Sequence, residues 1–159
     1  MSPDRLMCAV GRRLALAVLC PVALAWGCGK PVDPSLVPVS GTVTVDGQPL
    51  ANATVTFIPK DGTPGFGGTG KTDVTGKYTL AGSRDNVPGI PPGEYRVAIS
   101  KRLMPDGSEV PANDNTPPMM SPARESLPVG YSNPATTQLT ATVKAGGGPI
   151  DFALKDKKK

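Results

Sequence analysis

Residues 37–59 read VPVSGTVTVDGQPLANATVTFIP, and this stretch decides the fold class. Between Val39 and Val45 the side chains run Val, Ser, Gly, Thr, Val, Thr, Val. Successive side chains of a strand point to opposite faces. The period of two therefore gathers Val39, Val43 and Val45 on one face and the hydroxyls of Ser40, Thr42 and Thr44 on the other. Asp46-Gly47 follows with hairpin chemistry, because glycine accepts a positive φ and aspartate bonds its own following backbone. A second β-rich run, Thr54 to Ile58, comes next. The pattern predicts half of a β-sandwich and carries no catalytic motif.

Downstream, Thr72 to Leu80 reads TDVTGKYTL. Asp73 is placed to accept hydrogen bonds from amides two and three residues on, Gly76 closes the turn, and Tyr78 and Leu80 share a face. A calcium site at Asp73 would need several converging oxygens, and no other carboxylate lies nearby in sequence, so a structural turn is expected. Gly89-Ile90-Pro91-Pro92-Gly93 is a rigid turn feeding Glu94 to Ser100. There Tyr95, Val97 and Ile99 face the core, and Arg96, Ala98 and Ser100 face outward or toward a neighbour. Near the end, Leu139, Ala141 and Val143 alternate with Thr140, Thr142 and Lys144. Gly146 to Gly148 turns the chain, and Ile150, Phe152 and Leu154 form a last strand.

Three of these pieces carry a resemblance: S-G-T-V-T-V-D-G-Q-P-L-A-N-A-T-V-T-F, then T-D-x-x-G-K-Y-T-L, then I-P-P-G-E-Y-R-V-A-I. Over residues 37–101 the chain resembles the carboxypeptidase regulatory-like domain. The resemblance implies an all-β, transthyretin-like fold, an antiparallel Greek-key β-sandwich of about seven strands. Such modules are accessory domains of many exported proteins, so the likeness speaks to fold and not to activity. The plan is also similar to that of small exported lipoproteins of planctomycete-type bacteria. The expected strands are 38–46, 53–59, 68–73, 77–81, 94–101, 136–144 and 149–155, all antiparallel, with no helix after residue 35. The expected core is Val43, Val45, Val55, Phe57, Tyr78, Leu80, Tyr95, Val97, Ile99, Leu139, Val143, Phe152 and Leu154.

Residues 1–27 read as a targeting segment. Arg5, Arg12 and Arg13 form a basic start, and Leu14 to Ala25 is an apolar run of about a dozen residues, short of the ~20 that a spanning helix needs. Ala25-Trp26-Gly27-Cys28 then resembles a bacterial lipoprotein signal, cleaved before a cysteine that becomes acylated, so Cys28 is the expected lipidation site. Gly29 after that cysteine, in place of Asp, resembles signals that favour an outer membrane over an inner one. Residues 28–36, with Pro31 and Pro34, form a tether. The domain spans 37–155, and 156–159 are a basic tail.

Removing the leader takes Arg5, Arg12, Arg13 and Asp4 with it and lowers the net charge from +4 to +2. Three of the remaining positive charges are Lys157 to Lys159. No basic patch interleaved with aromatics is left, so no nucleic-acid partner is expected. All three cysteines, Cys8, Cys20 and Cys28, precede the domain, which excludes disulfides, thiol nucleophiles and cysteine metal sites within it. The chain has no histidine, which removes Ser-His-Asp and Cys-His catalysis and the usual zinc sets. Histidine-dependent chemistry known on related sandwiches is excluded with them. No cofactor is expected.

One motif is literally present and physically misplaced. Gly65 to Thr72 matches G-x-x-x-x-G-K-T, the phosphate-binding pattern. That loop works because a helix starts at its Lys and aims amides and dipole at the anion. Here the sequence after Lys71 reads as a turn and a strand, so no nucleotide is expected. Residues 102–134 carry seven prolines and read as a long surface loop. Asp106, Glu109, Asp114 and Glu125 within it are candidate cation ligands, and Met104, Met119 and Met120 are candidate Cu(I) ligands.

Two functions remain on these grounds. One is a non-catalytic envelope lipoprotein, held at a membrane by its lipid, whose sandwich binds a protein, glycan or envelope polymer. The alternative is a small carboxylate-dependent hydrolase of the envelope. The anchor can be tested first. Each buried methylene contributes about 0.8 kcal/mol, and stable attachment takes more than one chain. Cys28→Ser is therefore expected to release the protein to the soluble fraction or to block its maturation. Detergent phase separation with mass spectrometry of the N-terminus reads the outcome. An unmodified N-terminus and identical partitioning of the two forms would remove the anchor.

Overall fold

The computed structural model describes residues 35–111, 116–117 and 119–155. The leader, Cys28 and the 156–159 tail lie outside the described residues, as do 112–115 and 118. The described chain is all-β. In order it forms β1 (Val39–Val45), β2 (Gln48–Pro49), β3 (Thr54–Pro59), β4 (Gly68–Lys71), β5 (Lys77–Thr79), β6 (Ala81–Gly82), β7 (Gly93–Ser100) and β8 (Arg102–Leu103). These are followed by β9 (Arg124–Glu125), the single helical turn α1 (Val129–Ser132), β10 (Thr140–Val143), β11 (Gly148–Pro149) and β12 (Phe152–Leu154).

The first sheet is organised around β1. On one edge it pairs with β5 and β2, both antiparallel. The hairpin to β2 turns through Asp46 (φ 49°) and Gly47 (φ 81°), the two positive φ values that a tight two-residue turn demands. On its other edge β1 pairs with β11 and β12, both parallel. The second sheet, β10-β7-β3-β4-β6, is antiparallel throughout. A small ribbon, β8-β9, stands apart from both.

The parallel pairing corrects the expectation of an exclusively antiparallel fold. β10 belongs to the second sheet, and the chain crosses to the first at Gly146 to Gly148, where Gly148 N–H donates to Pro38 C=O. A strand that arrives from another sheet is free to run in either direction, whereas one returning through a hairpin is not. Between β11 and β12 the ladder is interrupted. The Ile150 carbonyl sits where a side chain on Gly41 would project, and a β-carbon there would overlap its oxygen. The Tyr78 hydroxyl donates to that oxygen at 2.7 Å, and Thr42 N–H takes the Asp151 carboxylate at 2.7 Å in place of a backbone partner. Burial, with the nearby Asp151 charge, pushes the Tyr78 phenol well above its ordinary pKa, so the hydroxyl stays a donor.

Inward side chains of both sheets meet in one core. Phe57 of β3 has Tyr78 of β5, Tyr95 of β7 and Phe152 of β12 around it, with ring centroids 6.4, 5.7 and 6.1 Å away. The expected core residues are buried except Val45 and Leu139, which are half-buried at its margin. Val39 and Ile90 are fully buried as well. Ile90 sits in the proline turn but is pinned by reciprocal backbone bonds with Val37.

The 102–134 stretch is more than a surface loop in its described parts. β8 and β9 pair, Ala123 is buried, and α1 packs against β7. Thr137 Oγ1 donates to the Val97 carbonyl at 2.6 Å. Ala98, expected to face outward or toward a neighbour, is buried. The short α1 also departs from a helix-free domain, at one turn only.

Phe57 touches three rings and is 1% exposed, so its truncation tests the core directly. Phe57→Ala is expected to cost about 3–5 kcal/mol, read as a lowered midpoint in chemical denaturation. A loss below ~1 kcal/mol would mean that the core is not arranged around this ring.

Candidate functional site

The structure separates the candidate groups rather than gathering them. Gly68–Lys71 of the phosphate-loop pattern is a strand, and Thr72 turns its hydroxyl inward, where it accepts from Ala53 N–H at 2.8 Å. Lys71 stays exposed. Asp73 is the turn residue its sequence suggested, with its amide donors two and four residues on instead of two and three. One of its oxygens accepts from Thr75 N–H and Oγ1, both at 2.7 Å, and from Lys77 N–H at 3.0 Å. The Thr75 hydroxyl, followed by those amides, holds the Asp73 carboxyl below the usual carboxylate range.

Of the cation candidates, Asp106 accepts from Ser108 N–H and Oγ and closes its own turn. Glu125 accepts from the Ser100 hydroxyl and from the amides of Lys101, Ser126 and Leu127. Glu109 lies with Asn52 and Lys101, and Asp114 is outside the described residues. Among the described residues no three such groups are placed to hold a metal ion. Met119 and Met120 are exposed in a turn closed by Pro117 C=O. Cys28, the expected lipid site, lies outside the described residues.

A different set does converge. At one end of the second sheet, Thr54 of β3 is flanked across the ladder by Lys71 on one side and Ser100 on the other. Val55, Gly70 and Ile99 point into the core, so Thr54, Lys71 and Ser100 share the outer face. The chain after β7 adds Lys101 and Arg102, then folds back as a turn from Met104 to Ser108 and brings Glu109 and Val110 over the same spot. The result is a cleft of about 200 Å³ lined by Asn52, Thr54, Lys71, Ser100, Lys101, Arg102, Glu109 and Val110.

Three cations and one carboxylate line this cleft. Glu109 accepts from the Asn52 side-chain amide and lies 3.6 Å from the Lys101 ammonium, whose side chain is mostly covered. Arg102 donates to the Ala123 carbonyl at 2.8 Å, which fixes its guanidinium at the rim. The Asn52 hydrogen bond, then Lys101 and Lys71, hold the Glu109 carboxyl below its ordinary value. Chemically, the cleft offers ammonium, guanidinium and hydroxyl groups to an oxyanion. Sequence reasoning missed it because Asn52, Lys71 and Lys101 lie far apart in the chain and meet only through strand register.

No family model matches the chain, and no curated protein matches it. Among solved structures it is similar to a 9R-lipoxygenase from Cyanothece, with 16% identity and a TM-score of 0.34. The match covers 79% of this chain and 16% of that one, and a likeness this slight carries no argument.

A depressed carboxyl pKa means stability that is present above the unfolded-state value, ordinarily about 4.3 for Glu, and lost as pH falls through the lower folded value. Glu109 is expected to titrate below that ordinary value in a carbon-detected NMR titration, and Asn52→Ala to move its midpoint upward. An unchanged midpoint in the variant would remove Asn52 as the main cause.

Proposed function

We propose that this chain is an exported lipoprotein, acylated at Cys28, that serves as a non-catalytic, envelope-anchored binding module. Its domain is read as a Greek-key β-sandwich of the transthyretin-like kind, similar to carboxypeptidase regulatory-like domains. The three-part sequence resemblance and the meeting of both sheets in one aromatic core support that reading. The ligand class follows from one observation, the convergence of Lys71, Lys101 and Arg102 on a single cleft. We assign to that cleft an acidic envelope glycan, bound through its carboxylates.

The Lys71 and Lys101 ammonium groups would meet a sugar carboxylate, while the Thr54 and Ser100 hydroxyls lie beside them for ring hydroxyls. A hydrolase built on carboxylates asks for an acid and a base facing a common substrate. Glu109 is instead engaged with Asn52 and Lys101, and Glu125 with four donors of its own neighbourhood. These engagements favour binding over hydrolysis.

Isothermal titration with an oligogalacturonate is the test. A charge-assisted contact contributes about 1.5–3 kcal/mol, so Lys71→Ala combined with Lys101→Ala is expected to weaken binding by roughly tenfold or more. Added salt is expected to weaken the wild type, since exposed charges are screened over ~10 Å at 0.1 M. Equal affinity in the wild type and a folded double variant would overturn the assignment. So would the absence of binding to the wild type.

A further inference from the structure

A second surface feature lies where the chain enters the domain. Phe66 is 64% exposed, on the Gly-rich connection between β3 and β4. The Arg84 guanidinium stands 4.7 Å from the centre of its ring. Together with Leu36, Gly65, Gly67 and Pro91 they line a mostly apolar groove of about 140 Å³. Asp85 also lines it, with its carboxylate turned to the Val87 amide at 3.3 Å. An arginine over an exposed aromatic ring, on an apolar floor, presents one hydrocarbon surface and one cation in the same direction.

The same groove is the point of entry of the chain. Leu36 forms part of its wall, and the next residue, Val37, is clamped by Val37 N–H to Ile90 C=O at 3.0 Å and Ile90 N–H to Val37 C=O at 3.1 Å. Seven Cα–Cα steps separate Cys28 from Ser35, and even a fully extended chain covers only about 25 Å over that length. An acyl group on Cys28 would hold the groove within that distance of the bilayer. Tethering at such a range gives an effective concentration on the order of millimolar, so a weak surface patch suffices to dock.

We infer that the Leu36–Phe66–Arg84–Pro91 groove is a membrane-docking surface. Phe66 enters the interface between phospholipid headgroups, and Arg84 pairs with a lipid phosphate. The inference rests on the lipoprotein reading above. It also fixes an orientation. The Asp73–Gly76 turn lies beside Val43, toward the far end of β1, where Val43 N–H donates to Gly76 C=O. Val74 in that turn, 81% exposed, points into water roughly 20 Å farther from the bilayer.

Tryptophan fluorescence tests this directly, since the only tryptophan, Trp26, precedes Cys28 and is removed with the leader. Acylated Phe66→Trp and Val74→Trp proteins are reconstituted in phosphatidylcholine–phosphatidylglycerol vesicles with and without brominated phosphatidylcholine. A blue-shifted emission quenched by the bromolipid is expected for Phe66→Trp, with unshifted, unquenched emission for Val74→Trp. Adding Arg84→Glu to the Phe66→Trp protein is expected to reverse most of the shift without lowering its melting temperature. If both tryptophans report water while the protein floats with the vesicles, the docking surface is wrong and the anchor stands. If both are quenched, the orientation is wrong. If the protein does not float with the vesicles, the lipoprotein reading fails and docking fails with it.

Discussion

The Ile150 carbonyl, received by the Tyr78 hydroxyl over the bare backbone of Gly41, is the contact on which the first sheet depends. Gly41 occupies a core-facing position between Val39 and Val43, where a side chain would be expected. Its absence lets the last strand break its ladder and turn a carbonyl inward. A buried carbonyl without a partner is costly, on the order of 1–3 kcal/mol. Tyr78, directly opposite Gly41 on β5, removes that cost and fills the space above the glycine with its ring. Asp151 does the same for the Thr42 amide that lost its ladder partner. Three residues remote in sequence thereby allow β1 to be paired along both edges.

The second sheet carries the cationic cleft, and its support has a separate origin. β7 is hydrogen-bonded on both sides, by β3 and β10, α1 packs against it, and Thr137 prolongs the β10 edge through its bond to the Val97 carbonyl. Where it ends, Glu125 binds the Ser100 hydroxyl and the Lys101 amide, and the Lys101 carbonyl receives Ser126 N–H at 2.8 Å and Oγ at 2.7 Å. These bonds fix the backbone from which Lys101 and Arg102 project. The cationic cleft thus stands on a strand terminus clamped from the outside, the kind of support that keeps a charged site in one geometry.

The sequence made some of this legible and left the rest hidden. β1 and β3 could be read because each buries one face, and alternation in burial is alternation in sequence. The Asp73 turn could be read because its donors lie within four residues. Strand direction could not, since a parallel and an antiparallel strand with one buried face have the same pattern. For Ala98 the alternation left open whether it met solvent or a neighbour, and it is buried. Ile90 was overlooked because it stands in a proline turn with no strand alternation around it, and only an isolated bridge to Val37 ties it to the sheet. The cleft was invisible for another reason: Lys71 and Lys101 are unrelated cations in the sequence until register sets Lys71 and Ser100 on either side of Thr54, with Lys101 next to Ser100.

The pairing of β1 with β12 also governs the time course of folding. Thr42 and Asp151, joined by a hydrogen bond, are 109 positions apart, nearly the full extent of the domain. β3, β4 and β7 find one another across shorter connections and close smaller loops, so they are placed to assemble first. β1 emerges at the start of the domain yet cannot complete its outer ladder until the final residues are available. Until then it presents an unpaired edge and a row of uncovered valines. An exposed edge of that kind is a ready template for pairing with another chain.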